Sequence, residues 1–487
     1  MREPLTPDPW SREASERARA TARRLTDLAA SRRPDLFEME GVDLRGAVEQ
    51  ALFGRLRGGG TRRRDAHAAI SRARSVARIG ARTASSLLRR PTPEPGDIVV
   101  VLLTAAQVRI VDSIREQLVA RKQRIFLVFE SQDRRAVRGR PGAARLVDQL
   151  DPGRALRLLG FERRLAFGLS KATRDFDSVL DRPAARLMRR TMADSMGRIA
   201  FYATCLEALA SRRPALMTTF NEIGRWSRLL AQAARRHDVP SLDIAHAEAA
   251  DEIAIQGVDY DRFAVFGPAA ARVLERAGVP AQRIVQVGAP RFDRLIERHR
   301  GTPTPPSERR VVFASQWLGG QMTAAVKRRT LEAALAAAEA VAPCEFVVRL
   351  HPIERDKVVR QSLPAVSPVG VTIRVEESGD LYDTLDGAWL MVTGWSNTVF
   401  EAILSHVPAL CVTATGREPP TPFAREGLAL SAEDPASAAQ AAASLLDPDA
   451  WVGALDRAQG AIADHLGPLD GRASERAADL MIRLASR

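Results

Sequence analysis

Lysine is close to absent from this 487-residue chain: of its 72 basic side chains only Lys122, Lys171, Lys327 and Lys357 are lysines, and the rest are arginines. Genome base composition produces such a bias without any function, so the excess of arginine names no partner by itself. Cysteine is scarce too. Cys205, Cys344 and Cys411 lie far apart with no pair at metal-ligand spacing, which argues against a disulfide framework and fits a reducing compartment. The longest apolar run, "IVVVLLTAA" at 98–106, is far shorter than the roughly 20 residues a membrane-spanning helix needs. The start, "MREPLTPDPW", lacks the basic-then-apolar order of a secretory signal. A cytoplasmic protein is expected. No G-x-G-x-x-G follows the first apolar run and no P-loop occurs, which argues against a nicotinamide cofactor and a P-loop phosphate site. The two D-x-D matches, Asp175 to Asp177 and Asp259 to Asp261, are what chance supplies among so many aspartates, and no metal site is expected.

What the chain does have is the 45% hydrophobic content of an ordinary globular protein and the length for two or three domains. Its formal charge is +13, and part of that is concentrated: residues 51–90 hold eleven arginines and one acidic residue, Asp65. Such a block attracts nucleic acid, anionic lipid or another polyanion without choosing among them. Its single aromatic, Phe53, ranks nucleic acid low, because single-strand binders interleave aromatic stacking positions.

Residues 1–95 read as a polar helical extension, broken by "GGGTRRR" and closed by the "PTPEPGD" hinge. A βαβ pattern follows in "DIVVVLLTAAQVRIVDSIREQLVARKQRIFLVFES", because strands apolar on both faces belong to a covered parallel sheet. Residues 134–213 are Arg-rich and helical in pattern. Strand and helix alternation resumes at "PALMTTF" and continues through "RIVQVGAPRFD". The stretch "RHRGTPTPPSERR" at 298–310 reads as a linker, and a second alternating series runs from "VVFASQ" to "PALCVT". The expected fold is α/β: two Rossmann-like domains facing a cleft, with an N-terminal helical Arg-rich extension. The first domain spans 96–300 with a helical insertion at about 134–213, the second 308–470, and a C-terminal helix at 471–487 is free to fold back across them. Ligands in such domains sit at the carboxyl ends of the strands.

Two motifs fall at such ends. In "EFVVRLHP" the strand places His351-Pro352 at its carboxyl end, with Arg349 two residues earlier on the same side, so that both reach toward an anionic oxygen. The structural alternative is a satisfied core histidine whose proline ends the strand. In "VTGWSNTVFEAI" Gly394 allows close backbone approach, and Ser396, Asn397 and Thr398 open a helix whose N–H groups and hydroxyls suit phosphate. Glu401, one turn in, is placed to accept from ribose hydroxyls. Here the alternative is a formal capping box, Thr398-x-x-Glu401.

The order and separation of these motifs, R-x-H-P after a strand and Ser-Asn with a following Glu about forty residues on, resembles the bacterial capsule and teichoic-acid type glycosyltransferases of the GT-B fold. This group includes polysialyltransferases and CDP-glycerol glycerophosphotransferases. The stretch "RFAVFGPAAARVLERAGVPAQRIVQVGAPRFDRL" is similar to theirs, and the resemblance covers roughly 214–440. Two departures stand out: Ala245-His246-Ala247 where relatives often have Gln-His-Gly, and Ser405-His406-Val407-Pro408 where they usually have G-x-P.

The resemblance implies that His351, Ser396 and Asn397 contact the nucleotide of a sugar donor, CMP-, CDP- or UDP-linked, with Glu401 toward the ribose and no cofactor. Transfer needs stabilisation of the leaving nucleotide and a general base. The base candidates are His246 and Glu222, ahead of Glu248 and Asp251. Ser315 and Gln316, after "VVFA", touch phosphate or acceptor or only cap the next helix. Arg291 and Asp293 line the cleft or pin the hinge. The acceptor is a surface glycan or a lipid-linked one, with peripheral contact to an anionic membrane through 51–90. Alternatives are a non-hydrolysing nucleotide-sugar epimerase, a CDP-alditol phosphotransferase and, lower, a non-catalytic Arg-rich nucleic-acid or membrane-surface binder.

Overall fold

The computed structural model describes residues 12–57, 91–102, 107–129, 143–177, 182–220, 225–246, 252–319, 322–352, 354, 357–414 and 421–487. The chain forms two compact units. The first runs through Val265 and includes Ala271–Val287 and Ser474–Arg487; the second comprises Phe266–Ala270 and Gly288–Ala473. The change of unit at Val287–Gly288 lies ahead of the 298–310 stretch that the sequence offered as a linker.

In the first unit, helix α1 (Arg12–Arg32), the short antiparallel pair β1 (Glu38–Met39) and β2 (Val42–Asp43), and α2 (Arg45–Leu56) precede the main sheet. The sheet series follows: β3 (Ile98–Leu102), α3 (Gln107–Ala120), β4 (Ile125–Phe129), β5 (Ala143–Arg145), the long helices α4 (Pro152–Asp177) and α5 (Arg182–Ala210), then β6 (Leu216–Thr219) and α6 (Arg225–Arg236). It closes with β7 (Ser241–Ile244), α7 (Glu252–Ile255), β8 (Arg262–Val265), α8 (Pro268–Arg276) and β9 (Ile284–Gln286). Among the described residues the main sheet has seven strands, all parallel, in the order β5-β4-β3-β6-β7-β8-β9. Every residue of β3 is buried, as a run of Ile, Val and Leu covered on both faces requires. The helices of the N-terminal stretch bury Ala22, Leu25, Val48, Leu52 and Phe53 within this unit.

The second unit contains α9 (Asp293–Arg298), β10 (Arg310–Ala314), α10 (Ala324–Ala340), β11 (Cys344–Arg349), α11 (Val358–Ser362), β12 (Val371–Glu376), α12 (Leu381–Leu385), β13 (Leu390–Thr393), α13 (Thr398–Leu404), β14 (Ala409–Val412), β15 (Leu430–Ala432), α14 (Pro435–Ser444) and α15 (Pro448–Leu466). Among the described residues its six strands, all parallel, lie in the order β12-β11-β10-β13-β14-β15. Both sheets therefore reverse direction beside their first strand, at β3/β6 and β10/β13, which is the doubly wound Rossmann arrangement with its ligand crevice at the reversal.

The last helix, α16 (Ala473–Ala485), belongs to the first unit. Ala477, Ala478, Leu480, Met481 and Leu484 join the core formed by Val100, Ile114 and Leu118. Arg121, in the turn after α3, reaches Glu475 and Asp479 on this helix, and Arg476 Nε donates to Val287 O at 2.8 Å. Full burial of a large apolar side chain contributes about 1.5–3 kcal/mol, so this helix is an integral part of the unit. The three cysteines are buried and in no disulfide, and burial pushes the Cys344 thiol up to about 11 and Cys411 to about 12. Among the described residues no helix is long and apolar enough to cross a membrane.

Candidate functional site

Residues after β10 and β13 meet at the reversal point of the second sheet. Thr393 Oγ1 donates to Ala314 O at 2.9 Å, and Gln316 Oε1 accepts from Trp395 N at 3.0 Å. A Cβ on Gly394 would lie 2.6 Å from Gln316 Oε1 and 3.2 Å from Met322 Cε. Glycine is what lets the two strand ends close on each other here.

The turn after Gly394 differs from its sequence reading. Thr398 N is taken by Ser396 Oγ at 3.3 Å, Val399 N by Ser396 O at 3.1 Å and Phe400 N by Asn397 O at 3.0 Å. These N–H groups are engaged within the turn, and α13 is only seven residues long, so a free-amide phosphate cradle with a strong dipole is not what it offers. The capping box is not formed either. Asn397, not Thr398, precedes the helix, and its side chain makes no cap bond. Instead Glu401, buried in α13, pairs through Oε1 with Arg291 Nη2. Glu401 Oε2 and Thr398 Oγ1, one turn apart, are buried with no hydrogen-bond partner. Burial pushes the Glu401 carboxyl above its ordinary value, and Arg291 works against that shift.

Arg291 and Asp293, undivided in the sequence, separate in role. Arg291 goes to Glu401, with its guanidinium 4.5 Å from the Phe292 ring centroid and its carbonyl accepting from Tyr382 Oη at 3.3 Å. Asp293 is buried and accepts from Ala473 N at 3.0 Å, so it secures the end of the second unit.

At β11 the expected Arg349 and His351 pair is corrected. Arg349 is buried; its guanidinium donates to Ser378 O and to Gly379 O at 2.6 Å and lies 3.5 Å from Glu376. It holds the loop after β12, because a buried guanidinium seeks carbonyl and carboxylate acceptors at close range. His351 is half-buried, beside the exposed Pro352. Burial holds its imidazole below the ordinary histidine value, Glu354 partly opposes this, and Lys327 reinforces it. The shift favours the neutral form of the ring.

Glu354, three residues past His351, is buried and accepts from Lys327 Nζ at 2.6 Å, Ser315 Oγ at 2.8 Å and His351 N at 3.2 Å. Ser315 thus gives its hydroxyl proton to Glu354. Lys327 and Glu354 were not singled out by sequence reasoning; the signal available was a lysine retained in a chain that otherwise uses arginine.

In the first unit His246 follows the carboxyl end of β7. Glu222, Glu248, Asp251 and the basic residues 58–90 lie outside the described residues. Asp259 pairs with Arg235 and Arg283, and Asp261 accepts from Ser241 N and Oγ, both at 2.8 Å, so this D-x-D match secures strand ends.

No protein-family model matches the sequence, and no curated protein does. Solved structures do match. The UDP-GlcNAc 2-epimerase from Neisseria meningitidis bound to UDP-GlcNAc aligns with a TM-score of 0.51 and 11% identity, over 80% of this chain and 100% of its own. The S. aureus MnaA–UDP co-structure aligns with a TM-score of 0.50 and 13% identity, over 80% and 98%. A variant of the wall teichoic acid polymerase TagF aligns at 0.48 with 10% identity, over 88% and 99%, too remote to carry an argument. At such identities the likeness is one of fold: two parallel-sheet α/β domains of the GT-B type.

Proposed function

We propose that this protein is an enzyme acting on a nucleotide-activated sugar, and that it transfers the sugar to a surface glycan or lipid-linked acceptor. The observation that carries the reading is the pair of orphaned oxygens, Glu401 Oε2 and Thr398 Oγ1, buried one helical turn apart after β13. An unsatisfied buried polar atom costs about 1–3 kcal/mol, more when charged. A ribose diol satisfies both: one hydroxyl donates to the carboxylate, and the other exchanges a hydrogen bond with Thr398. Ser396, after β13, and His351, after β11, then face the phosphates from the two sides of β10, with Asn397 beside Ser396, and Gln316 and Gly394 shape the floor. Arg291, already on Glu401, supplies positive charge near the departing nucleotide. His246 or Glu222 is assigned as the acceptor's general base on sequence grounds. The HP-motif resemblance supports transfer, including the CDP-alditol variant.

Epimerisation of the donor is the second reading, because the solved structures matching at TM-scores of 0.50 and 0.51 include UDP-GlcNAc 2-epimerase. A thermal-shift screen with CMP, CDP, UDP and GDP tests the site. One nucleotide is expected to raise Tm in the native chain and to lose that effect in Glu401→Gln and His351→Ala. No response to any nucleotide, together with tight binding to DNA or anionic vesicles, overturns the reading in favour of a polyanion binder. Free nucleotide released only with acceptor marks transfer; isomerised donor without acceptor marks epimerisation.

A further inference from the structure

The ion pair of Lys327 and Glu354 is deeply buried, its side chains 1% and 2% exposed. Burying two charges is repaid only when further hydrogen bonds satisfy them, and such pairs are best explained where they define a register. The Glu354 carboxylate meets that condition by collecting three elements of the second unit. It takes Lys327 Nζ from the first turn of α10 at 2.6 Å, Ser315 Oγ from the end of β10 at 2.8 Å, and His351 N from the end of β11 at 3.2 Å. Glu354 N returns a bond to His351 O at 2.8 Å, so the turn is closed from both sides. The choice of cation is informative as well. In a chain with four lysines among 72 basic residues, this position holds the compact ammonium, whose three rotatable donors suit a buried oxygen that a planar guanidinium fork does not.

We propose that Lys327 and Glu354 are a positioning pair that holds the His351-Pro352 turn against the end of β10 and so presents the His351 ring to the ligand. The ligand part of this inference rests on the proposed function; the positioning part does not. Both charges act on the ring as well: Glu354 favours its protonated form and Lys327 disfavours it.

The test uses the full chain and the variants Glu354→Gln, Lys327→Met and the double Lys327→Met/Glu354→Gln. The last leaves no buried charge and keeps the volume, so it reports on the turn even if a single variant folds poorly. Two measurements need no ligand: the His351 imidazole titration by NMR, and hydrogen exchange of a peptide spanning 350–354. Glu354→Gln is expected to lower the His351 titration midpoint and Lys327→Met to raise it, with faster exchange at the turn in every variant and no restoration by Lys327→Arg. A purely structural pair lowers Tm without opposed shifts. Shifts of the same sign, no shift, or unchanged exchange in the double variant overturn the proposal. Binding of the nucleotide selected among CMP, CDP, UDP and GDP is expected to weaken about tenfold in Glu354→Gln, the effect of losing one charged hydrogen bond. If the native chain binds none of the four, the functional reading falls while titration and exchange still decide the pair's role.

Discussion

Gln316 occupies the place that a side chain at position 394 would take. Its Oε1 accepts from Trp395 N at 3.0 Å and stands 2.6 Å from an added Cβ on Gly394. The obstacle is the far end of a flexible side chain, so Gly394→Ala is expected to push Gln316 aside, break the bond to Trp395 and cost only about 1–2 kcal/mol. Urea denaturation measures that cost. Nucleotide affinity, under the proposed function, should fall by more than this stability loss implies.

Gly267 provides the contrast. A Cβ there would meet Asp464 O and Gly467 N at 2.7 Å, and backbone cannot swing away as Gln316 can. Gly267→Ala is expected to destabilise the chain by about 3 kcal/mol or more, seen as a large Tm drop. A stability within 1 kcal/mol of the native chain, about the size of an ordinary surface change, contradicts the close crossing of these segments.

Arg291 compensates a buried carboxylate. Arg291→Met leaves Glu401 without its cation and is expected to cost about 3 kcal/mol near neutral pH, the low end for a broken buried pair because Arg291 is partly exposed. The sign with pH follows from the raised Glu401 pKa. Above the ordinary carboxylate range the unfolded chain has lost this proton before the folded chain does, so stability falls as pH rises toward the folded pKa. Arg291→Met should steepen that fall and Glu401→Gln should flatten it, measured as unfolding free energy between pH 4 and 8, the span that brackets the ordinary carboxylate and neutral pH.

His299 and His406 share a site, with ring centroids 5.9 Å apart. Burial lowers both pKa values; the His299 charge lowers His406 further, Arg298 lowers His299, and Asp386 opposes that. For a histidine held below its ordinary 6.5, the unfolded chain binds the proton first as pH drops, so stability is present above that value and is lost below it. His406 adopts φ 58°, a conformation asparagine tolerates. His406→Asn is therefore the suitable variant, expected to reduce the loss of Tm between pH 7 and 5, the histidine titration range.

The C-terminal helix should behave as core. Leu484 is 2% exposed and packs within the first unit, so Leu484→Ala is expected to cost about 2–5 kcal/mol. Removal of residues 473–487 should unfold the first unit, detected as lost cooperative melting and rapid proteolysis.

The sequence by itself determined the alternation of apolar strands and amphipathic helices, the two series, and the strand-end positions of His351 and of Gly394 to Ser396. These are local properties: a covered parallel strand must be apolar on both faces, and a residue's place at its end is countable along the chain. Tertiary structure decided which charges meet. Glu401 pairs with Arg291, 110 positions away, and Glu354 with Lys327, 27 away. It also separated Arg349 from His351 and put α16 in the first unit. Charge partners are chosen by distance and burial in the folded chain, and neither is encoded in the period of a strand or the spacing of a motif.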